Sequence, residues 1–430
     1  MTRTPAARGH HRPAGDTGLD PTVTRGLAGI VIARLAVNGG IRVVYPFLPA
    51  IAYGLGVSFE VLTLLVASRS LAGVAGPVIA RTVPARRQRT LMVASQLVVM
   101  AGSLLIAAAA VTPAGLRPVL AGVGFLATGI ARPMFDLPMQ TWVSGHVPPG
   151  ERGRALGLTE LGWALSLAAT VPVAGILIER VGWHGPFVLV AAMAAAGVVA
   201  LVFAVPTDGV RTPAPQAPVA IPRRAFTGRW TSTGGVVCAG AALAVAAGES
   251  VLVVYGEWLT RDFGMSIAQV GASTLLIVAA ELIGEGLVVT VSDRVGLART
   301  LFTALLVSAT AYVALGMVGD RITLAVATIG ALFIAFEVTV VVLIAFASTV
   351  AHRAPDRARL LGGLMAAVAL GNAVGAGFAP VIFALGGIAL SGVAAACAVT
   401  VAAALLWRGA QPGPAYAGID GRARAPAARR

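Results

Sequence analysis

Apolar stretches of membrane-spanning length follow one another through nearly the whole chain. From Gly26 to Trp407, apolar runs of about 18 residues or more recur, separated by short polar or glycine-rich segments. A helix of about 20 such residues crosses the hydrocarbon core of a bilayer. The pattern predicts an all-α membrane protein of twelve transmembrane helices, at residues 26–52, 58–80, 90–111, 117–143, 155–178, 186–205, 232–258, 268–291, 300–318, 322–350, 360–385 and 388–407.

One long polar interruption divides the predicted helices into two sets of six. It is rich in proline and arginine, which is typical of a linker. The first residues lack the apolar core of a signal peptide, so the first span should act as an uncleaved anchor. The expected organisation is a disordered N-terminal tail, a first six-helix bundle, a linker, a second six-helix bundle and a disordered C-terminal tail, at residues 1–24, 25–205, 206–230, 231–407 and 408–430.

Composition and charge support a membrane protein and predict its orientation. The chain is 57% hydrophobic and 12% charged, whereas soluble proteins carry about 25% charged residues. Its net charge is +14, and all 32 basic residues are arginines. They cluster in alternate loops, while the intervening loops hold one each, Arg117, Arg180, Arg261 and Arg321. The positive-inside rule then predicts a multi-pass protein of the bacterial cytoplasmic membrane with both termini cytoplasmic. The bilayer, and not nucleic acid, is its expected partner.

The two predicted halves contain matching sequences. The segment Glu151-Arg-Gly-Arg-Ala-Leu-Gly157 recurs as Asp356-Arg-Ala-Arg-Leu-Leu-Gly362, 205 residues later. Val43-Val44-Tyr45 likewise recurs as Val253-Val254-Tyr255. Transporters built from repeated halves bind substrate near the membrane midplane, at the interface between the halves.

The segment Ser292-Asp293-Arg294-Val295-Gly296 resembles the cytoplasmic Asp-Arg-x-Gly loop of the major facilitator superfamily. The resemblance covers the chain from Arg25 to Trp407 and implies that fold, with two pseudo-symmetric six-helix bundles. It also implies that Asp293, Arg294 and Gly296 form a gating loop. The first-half copy departs from the motif, because Ala85 stands where the repeat places Asp293.

The fifth predicted helix partly resembles the antiporter signature of the same superfamily. Gly162 is followed by Val171-Pro172-Val173-Ala174-Gly175, but Val171 and Ile176 replace two glycines of the signature. Pro172 and Gly175 are therefore either antiporter elements or ordinary kink and close-packing residues, and the sequence leaves both readings open.

Charged and strongly polar residues inside the predicted spans are the candidate functional residues. A charge at the centre of a bilayer costs about 2.5–3.5 kcal/mol even on insertion scales, so such residues face water or each other. We predict that they line a polar pathway and bind substrate or couple protons. They are Arg34, Asn38, Arg42, Arg132, Asp136, Glu249 and Glu337, of which the first three form one helical stripe at spacings i, i+4 and i+8.

Arg132 has two candidate partners. It can pair with Asp136, one helical turn away. Alternatively, the 205-residue offset places it in a position equivalent to Glu337, and an arginine–glutamate pair across the halves would form in one conformational state and part in the other. The roles of four further charges, Glu281, Glu285, Arg69 and Glu160, stay open. Glu281 and Glu285, one turn apart, suggest either a shared proton or pairing with loop arginines. Structural pairing is expected for Arg69 and Glu160.

No nucleotide-binding loop, metal-ligand spacing or nucleophile elbow appears in the sequence, so an enzyme or an ATP-driven pump is not expected. We expect a monomeric secondary transporter of a small-molecule substrate, with the proton gradient in place of a cofactor. Efflux of a small amphiphilic compound is the first hypothesis. The alternatives are proton-coupled uptake of an organic anion, because two central arginines call for something negative, and a non-transporting membrane receptor or scaffold.

Overall fold

A computed structural model describes residues 20–72, 87–148, 151–206, 232–350 and 354–411, and these residues are almost wholly α-helical. In chain order the helices of this described part are α1 (Pro21–Leu55), α2 (Phe59–Ala72), α3 (Gln88–Ala108), α4 (Arg117–His146), α5 (Arg152–Val181), α6 (Gly185–Ala204), α7 (Ser232–Phe263), α8 (Ile267–Val295), α9 (Leu297–Leu315), α10 (Ile322–Val350), α11 (354–385) and α12 (388–410).

These helices confirm the predicted all-α membrane fold. Within the described ranges, ten continuous helical segments are long and apolar enough to cross a membrane. The last of them contains both α11 and α12, because its backbone is not helical at Gly386 and Gly387. Gly387 has φ +60°, which glycine adopts without strain. Helix α2 is described as far as Ala72, and its predicted remainder lies outside the described ranges.

The first helix begins earlier than predicted. Pro21 occupies its first turn, where a missing N–H costs nothing, and the Asp20 side chain accepts a hydrogen bond from the Thr22 backbone N–H at 2.8 Å. Residues 21–24, expected in a disordered tail, are therefore helical. The rest of that tail, nearly all of the predicted linker, most of the C-terminal tail and Ala85 lie outside the described ranges.

Helix α1 is also interrupted, whereas the hydrophobic pattern predicts a continuous helix. Regular helix runs from Pro21 to Arg42, a 3₁₀ turn follows at Tyr45–Phe47, and helix resumes at Leu48–Leu55. The cause is Pro46, which has no N–H to donate to the carbonyl of Arg42 four residues earlier. The interruption leaves backbone carbonyls at membrane depth that need other donors.

The two halves share one packing pattern. In the first half α1 contacts α5 and α6, α2 contacts α4, and α3 contacts α4 and α6. In the second half the same contacts recur six helices later, between α7 and α11 or α12, α8 and α10, and α9 and α10 or α12. Helix α4 begins at Arg117 and α10 begins 205 residues later at Ile322, as the repeated loop sequence predicts. The fold is therefore two pseudo-symmetric six-helix bundles.

The bundles meet along α1 and α7, α2 and α11, and α5 and α8. We call the side at which α1 begins the proximal side, and the side at which α1 ends, at Leu55, the distal side. Near the distal side, Gly175 of α5 and Gly271 of α8 bring the two backbones together. A Cβ on Gly271 would lie 3.1 Å from the carbonyl oxygen of Val171. The Glu179 carboxylate accepts a hydrogen bond of 2.8 Å from the Ala268 N–H, which adds a polar contact between α5 and α8 on this side.

Candidate functional site

Arg42 and Glu281 form an ion pair between the bundles. Arg42 on α1 donates through both terminal nitrogens to the Glu281 carboxylate on α8, with Nη1 to Oε2 at 2.9 Å. Both side chains are buried, with 5% and 7% of their surface exposed. The same Nη1 also donates to the Trp163 carbonyl at 3.0 Å. The pair therefore ties helices of opposite halves in a region from which water is largely excluded.

Arg34 forms a second pair, inside the first bundle. Its two terminal nitrogens each donate at 3.0 Å to one oxygen of Glu160 on α5. Gly162 lies against the arginine stem, where an added Cβ would make only ordinary contact with Arg34 Cδ at 3.6 Å. Glu160 is 53% exposed, so this pair lies at an edge of the site that solvent reaches.

Arg132 pairs with Asp136, its neighbour one turn along α4. The distance from Arg132 Nε to Asp136 Oδ2 is 3.5 Å. No contact joins Arg132 to Glu337 in the described part of the chain, and the charged pair that crosses the halves is Arg42 with Glu281. A pairing of Arg132 with Glu337 in another conformational state stays a prediction.

Trp163 on α5 lies between two of these arginines. The guanidinium carbon of Arg42 is 4.5 Å from the indole centroid and that of Arg132 is 4.8 Å from it. Cation–π attraction of this kind is strengthened where water is excluded. Sequence reasoning missed Trp163, because a tryptophan in an apolar span has no spacing that marks it as functional.

Arg69, Tyr45 and Glu249 form a third group, nearer the distal side. Arg69 Nη1 donates to the Ile41 carbonyl at 2.9 Å, and Nη2 donates to Tyr45 Oη at 3.1 Å. The Tyr45 hydroxyl donates to Glu249 Oε1 at 2.7 Å. The group joins α1 and α2 of the first bundle to α7 of the second. Arg69 thereby satisfies a carbonyl next to the interruption of α1.

Glu337 and Glu285 are two carboxylates near the Arg42–Glu281 pair that have no ion-pair partner of their own among the described residues. Neither makes an ion pair or a side-chain hydrogen bond among the described residues, and Glu337 is only 9% exposed. Glu337 interacts electrostatically with Glu281, Glu285 and Glu160, and with the Arg42 charge. The lack of a side chain at Gly284 permits this approach, since a Cβ there would lie 2.8 Å from Glu337 Cβ.

The charges in this region do not cancel. The four arginines of this region are each matched to one acid, directly or through Tyr45: Arg34 to Glu160, Arg42 to Glu281, Arg69 to Glu249, and Arg132 to Asp136. Glu285 and Glu337 remain, so the region carries two excess negative charges when every group is ionised.

The other predicted residues occupy separate places. Asn38 is buried beside Arg34 and Arg42 on α1, and its Nδ2 has no hydrogen-bond partner in the described chain. Gly296, with φ +92°, separates α8 from α9. Arg294 is exposed there, and the side chain of Asp293 lies outside the described set.

The two antiporter-like residues both lie in α5. Pro172 is inside the helix, and Gly175 faces α8. A Cβ on Gly175 would lie 3.1 Å from the Ile267 carbonyl oxygen, so Gly175 packs the bundles together in this structure. An antiporter role for either residue stays a prediction.

We expect Gly284→Ala to lower the free energy of unfolding by about 1–3 kcal/mol, because the added methyl group overpacks the contact between α8 and Glu337. Gly286→Ala is the matched control on the same helix, since a Cβ there meets nothing within 4 Å. It should be neutral or stabilising by up to about 1 kcal/mol, the difference in helix propensity. Denaturant titration of the purified protein measures both, and equal effects would contradict the described contact.

Comparison with known proteins places this architecture in a family. The family model described as Major Facilitator Superfamily matches residues 30–245, which is half of the chain. The MFS-type transporter YceJ of Bacillus subtilis, described as uncharacterized, is 27% identical over 184 residues, covering 41% of this chain and 45% of that protein. An uncharacterized MFS-type transporter of Mycobacterium tuberculosis strain H37Rv is 29% identical over 195 residues, covering 45% of this chain and 42% of that one. The chain thus spans about half the length of the curated relatives it matches.

Solved structures show the same fold over nearly the whole chain. A D-xylose–proton symporter superposes with a TM-score of 0.70 at 16% identity, covering 90% of this chain and 96% of that one. A bacterial homolog of the human lysosomal transporter Spinster, in an inward-facing and occupied conformation, gives 0.67 at 15% identity, covering 91% and 97%. Together with the family match and the two related bundles, this establishes that the chain belongs to the Major Facilitator Superfamily.

Proposed function

We propose that this protein is a proton-coupled secondary transporter of the bacterial cytoplasmic membrane that exports a small amphiphilic compound. The alternation of arginine-rich and arginine-poor loops supports cytoplasmic termini, and hence a cytoplasmic proximal side. Related bundles in contact along facing helices suit an alternating-access mechanism, in which one bundle rocks against the other around a central site. A receptor or scaffold would need no such arrangement.

The observation that carries proton coupling is the pair of unmatched carboxyl groups, Glu285 and Glu337. Glu337 is buried and Glu285 is half-buried, and an ionised carboxylate without a partner in such a place is costly. Binding of a proton or of a cation removes that cost. Both groups lie beside the ion pair between Arg42 and Glu281. This ion pair joins the bundles and parts when they separate, so the charge of the neighbouring acids biases the conformational equilibrium.

The transport cycle follows from this arrangement. With the distal side closed, substrate enters from the proximal side and displaces a proton from the acids. Rocking of the bundles separates Arg42 from Glu281 and exposes the site distally, where the substrate leaves and a proton returns. Glu249 and Asp136 are further candidate proton carriers, each already hydrogen-bonded or paired in the described state.

The charges favour a neutral or cationic substrate over the organic anion of the alternative hypothesis. That hypothesis assumes that the central arginines have no carboxylate partner in the protein and therefore bind an anionic substrate. In the structure, Arg42 already binds Glu281 and the Trp163 carbonyl, and Arg132 already pairs with Asp136. An anion would enter a region with two excess negative charges, whereas a cation would neutralise them.

The experiment uses two probes of nearly equal shape and opposite charge, tetraphenylphosphonium and tetraphenylborate. We expect tetraphenylphosphonium to raise the Tm of the detergent-purified protein more than tetraphenylborate does, because ligand binding to the folded state stabilises it. The double variant Glu285→Gln/Glu337→Gln should lose this difference. Stronger stabilisation by tetraphenylborate would favour the anion hypothesis. An unchanged preference in the double variant would show that Glu285 and Glu337 do not determine which probe charge is bound.

A further inference from the structure

The group formed by Arg69, Tyr45 and Glu249 is separate from the two unmatched acids, Glu285 and Glu337, and its hydrogen bonds point to a second role for Glu249. All three side chains are buried, with 2%, 7% and 6% of their surface exposed. Three charged or strongly polar groups at membrane depth need a reason, because leucine would fill the same volume without the cost of desolvation. Their hydrogen bonds indicate what that role is.

Arg69 holds the interruption of α1 from both ends. The Ile41 carbonyl, which accepts from Nη1, belongs to the regular helix that ends at Arg42. Tyr45, which accepts from Nη2, begins the 3₁₀ turn beyond the interruption, and its ring also lies 5.4 Å from the Arg69 guanidinium carbon. The two bonds therefore set the angle between the proximal and distal parts of α1. Close packing fixes Arg69 in turn, since a Cβ on Gly129 of α4 would meet Arg69 Cγ at 2.9 Å.

The same bonds determine what the Tyr45 hydroxyl can do. A tyrosine hydroxyl has one hydrogen and also accepts. Because Arg69 donates to the oxygen, the hydrogen is directed to the Glu249 carboxylate in the other bundle. Backbone packing reinforces this contact, since Gly256 of α7 has no side chain where it meets Pro46 of the turn.

We propose that Tyr45 and Glu249 form a latch that holds the distal side closed, and that Arg69 is its positioning residue. The latch rests on the proposed alternating-access function, because it matters only if the distal side opens. It acts on the distal part of α1, whereas the ion pair between Arg42 and Glu281 acts on the proximal part. The interruption of α1 lies between the two contacts.

The test measures distal opening without any substrate. Cys238 and Cys397 are first replaced by alanine, since both are free thiols. Nitroxide labels are then attached at Arg180 on α5 and Asp262 on α7, both exposed at the distal side. Double electron–electron resonance in nanodiscs gives the distribution of distances between the two labels. A long-distance population reports the open state.

We expect Tyr45→Phe to raise the ratio of open to closed protein about tenfold or more, as loss of a hydrogen bond to a charged group predicts. Tyr312→Phe is the matched control, because its hydroxyl is equally buried and has no hydrogen-bond partner in the described chain. Arg69→Met should also populate the open state and should broaden the distribution, because the two parts of α1 are no longer held at one angle. Glu249→Gln keeps an acceptor for Tyr45, so its effect should be smaller than that of Tyr45→Phe.

Two outcomes would overturn the latch. One is a distribution for Tyr45→Phe that matches Tyr312→Phe. The other is an Arg69→Met variant that folds, binds tetraphenylphosphonium as wild type does and stays closed. Failure of the transport proposal would look different: if Tyr45→Phe opens distally but the wild-type protein moves no probe, the latch stands and the function is contradicted.

Discussion

Arg42→Met should lower the free energy of unfolding by about 3–5 kcal/mol, the usual cost of removing one partner of a buried ion pair. The Glu281 carboxylate, which is only 7% exposed in the structure, loses its bidentate donor in the variant and is left beside Glu285 and Glu337. The double variant Arg42→Met/Glu281→Met should recover most of this loss, because no charge then remains unpaired. Denaturant titration in mixed micelles gives all three values and the coupling energy between the two positions.

Arg34→Met is the matched control for this prediction. It makes the same substitution on the same stripe of α1, but its partner Glu160 is 53% exposed and regains water when the arginine is removed. The loss should therefore be about 1 kcal/mol or less from the ion pair itself. Equal losses for Arg34→Met and Arg42→Met would mean that burial between the bundles does not set the strength of the Arg42 pair.

Glu337→Gln should abolish proton-driven transport while leaving exchange of substrate intact. Glutamine keeps the size and hydrogen-bonding capacity of the side chain but can neither bind nor release a proton. The probe is ethidium, a cationic amphiphile, and the assay compares its accumulation in inverted vesicles under a proton gradient with its exchange in the absence of a gradient.

Glu257→Gln is the matched control, because it makes the same glutamate-to-glutamine substitution at another position. Glu257 lies near the distal end of α7, away from the unmatched pair, so its substitution should leave both activities near wild type. If Glu337→Gln accumulates ethidium at the wild-type rate, proton coupling does not run through this residue. Loss of exchange together with accumulation would instead indicate damage to the substrate site.

The sequence predicts the helices well because the signal is strong and local. An apolar run of membrane length has few alternatives to a helix, and the predicted start of α4 at residue 117 agrees with the structure. The repeated loop sequence also predicts the equivalence of α4 and α10, since duplicated bundles keep one register. The interruption of α1 was readable from Pro46, but the long hydrophobic run concealed it.

The partners of the charged residues could not be read in the same way. Arg42 and Glu281 are 239 positions apart, and helical spacing relates only residues within one helix. The spacing did offer Asp136 as a partner for Arg132, and that local pair is present. Equivalence in the repeat did not bring Arg132 and Glu337 into contact in this state, because residues related by pseudo-symmetry share a position in their own bundles without having to meet.

Residues whose role depends on a neighbour were the hardest to identify. Glu281, Arg69 and Glu160 had no assigned role, and the structure gives each of them an arginine, carboxylate or hydroxyl partner from another helix. Once these partners are known, Glu285 and Glu337 stand out because they lack one. The candidate site therefore emerges from the pairing of all the charges and not from any single residue.

The central claim is that protons on the unmatched acids shift the protein between its two open states. The most direct measurement places nitroxides at Ser144 and Arg299, both exposed at the proximal side, and records their distance distribution in nanodiscs from roughly pH 5 to pH 9. The wild-type populations should change with pH, and Glu285→Gln/Glu337→Gln should remove that change. A wild-type distribution that does not respond to pH, or the same response in the double variant, would contradict the account.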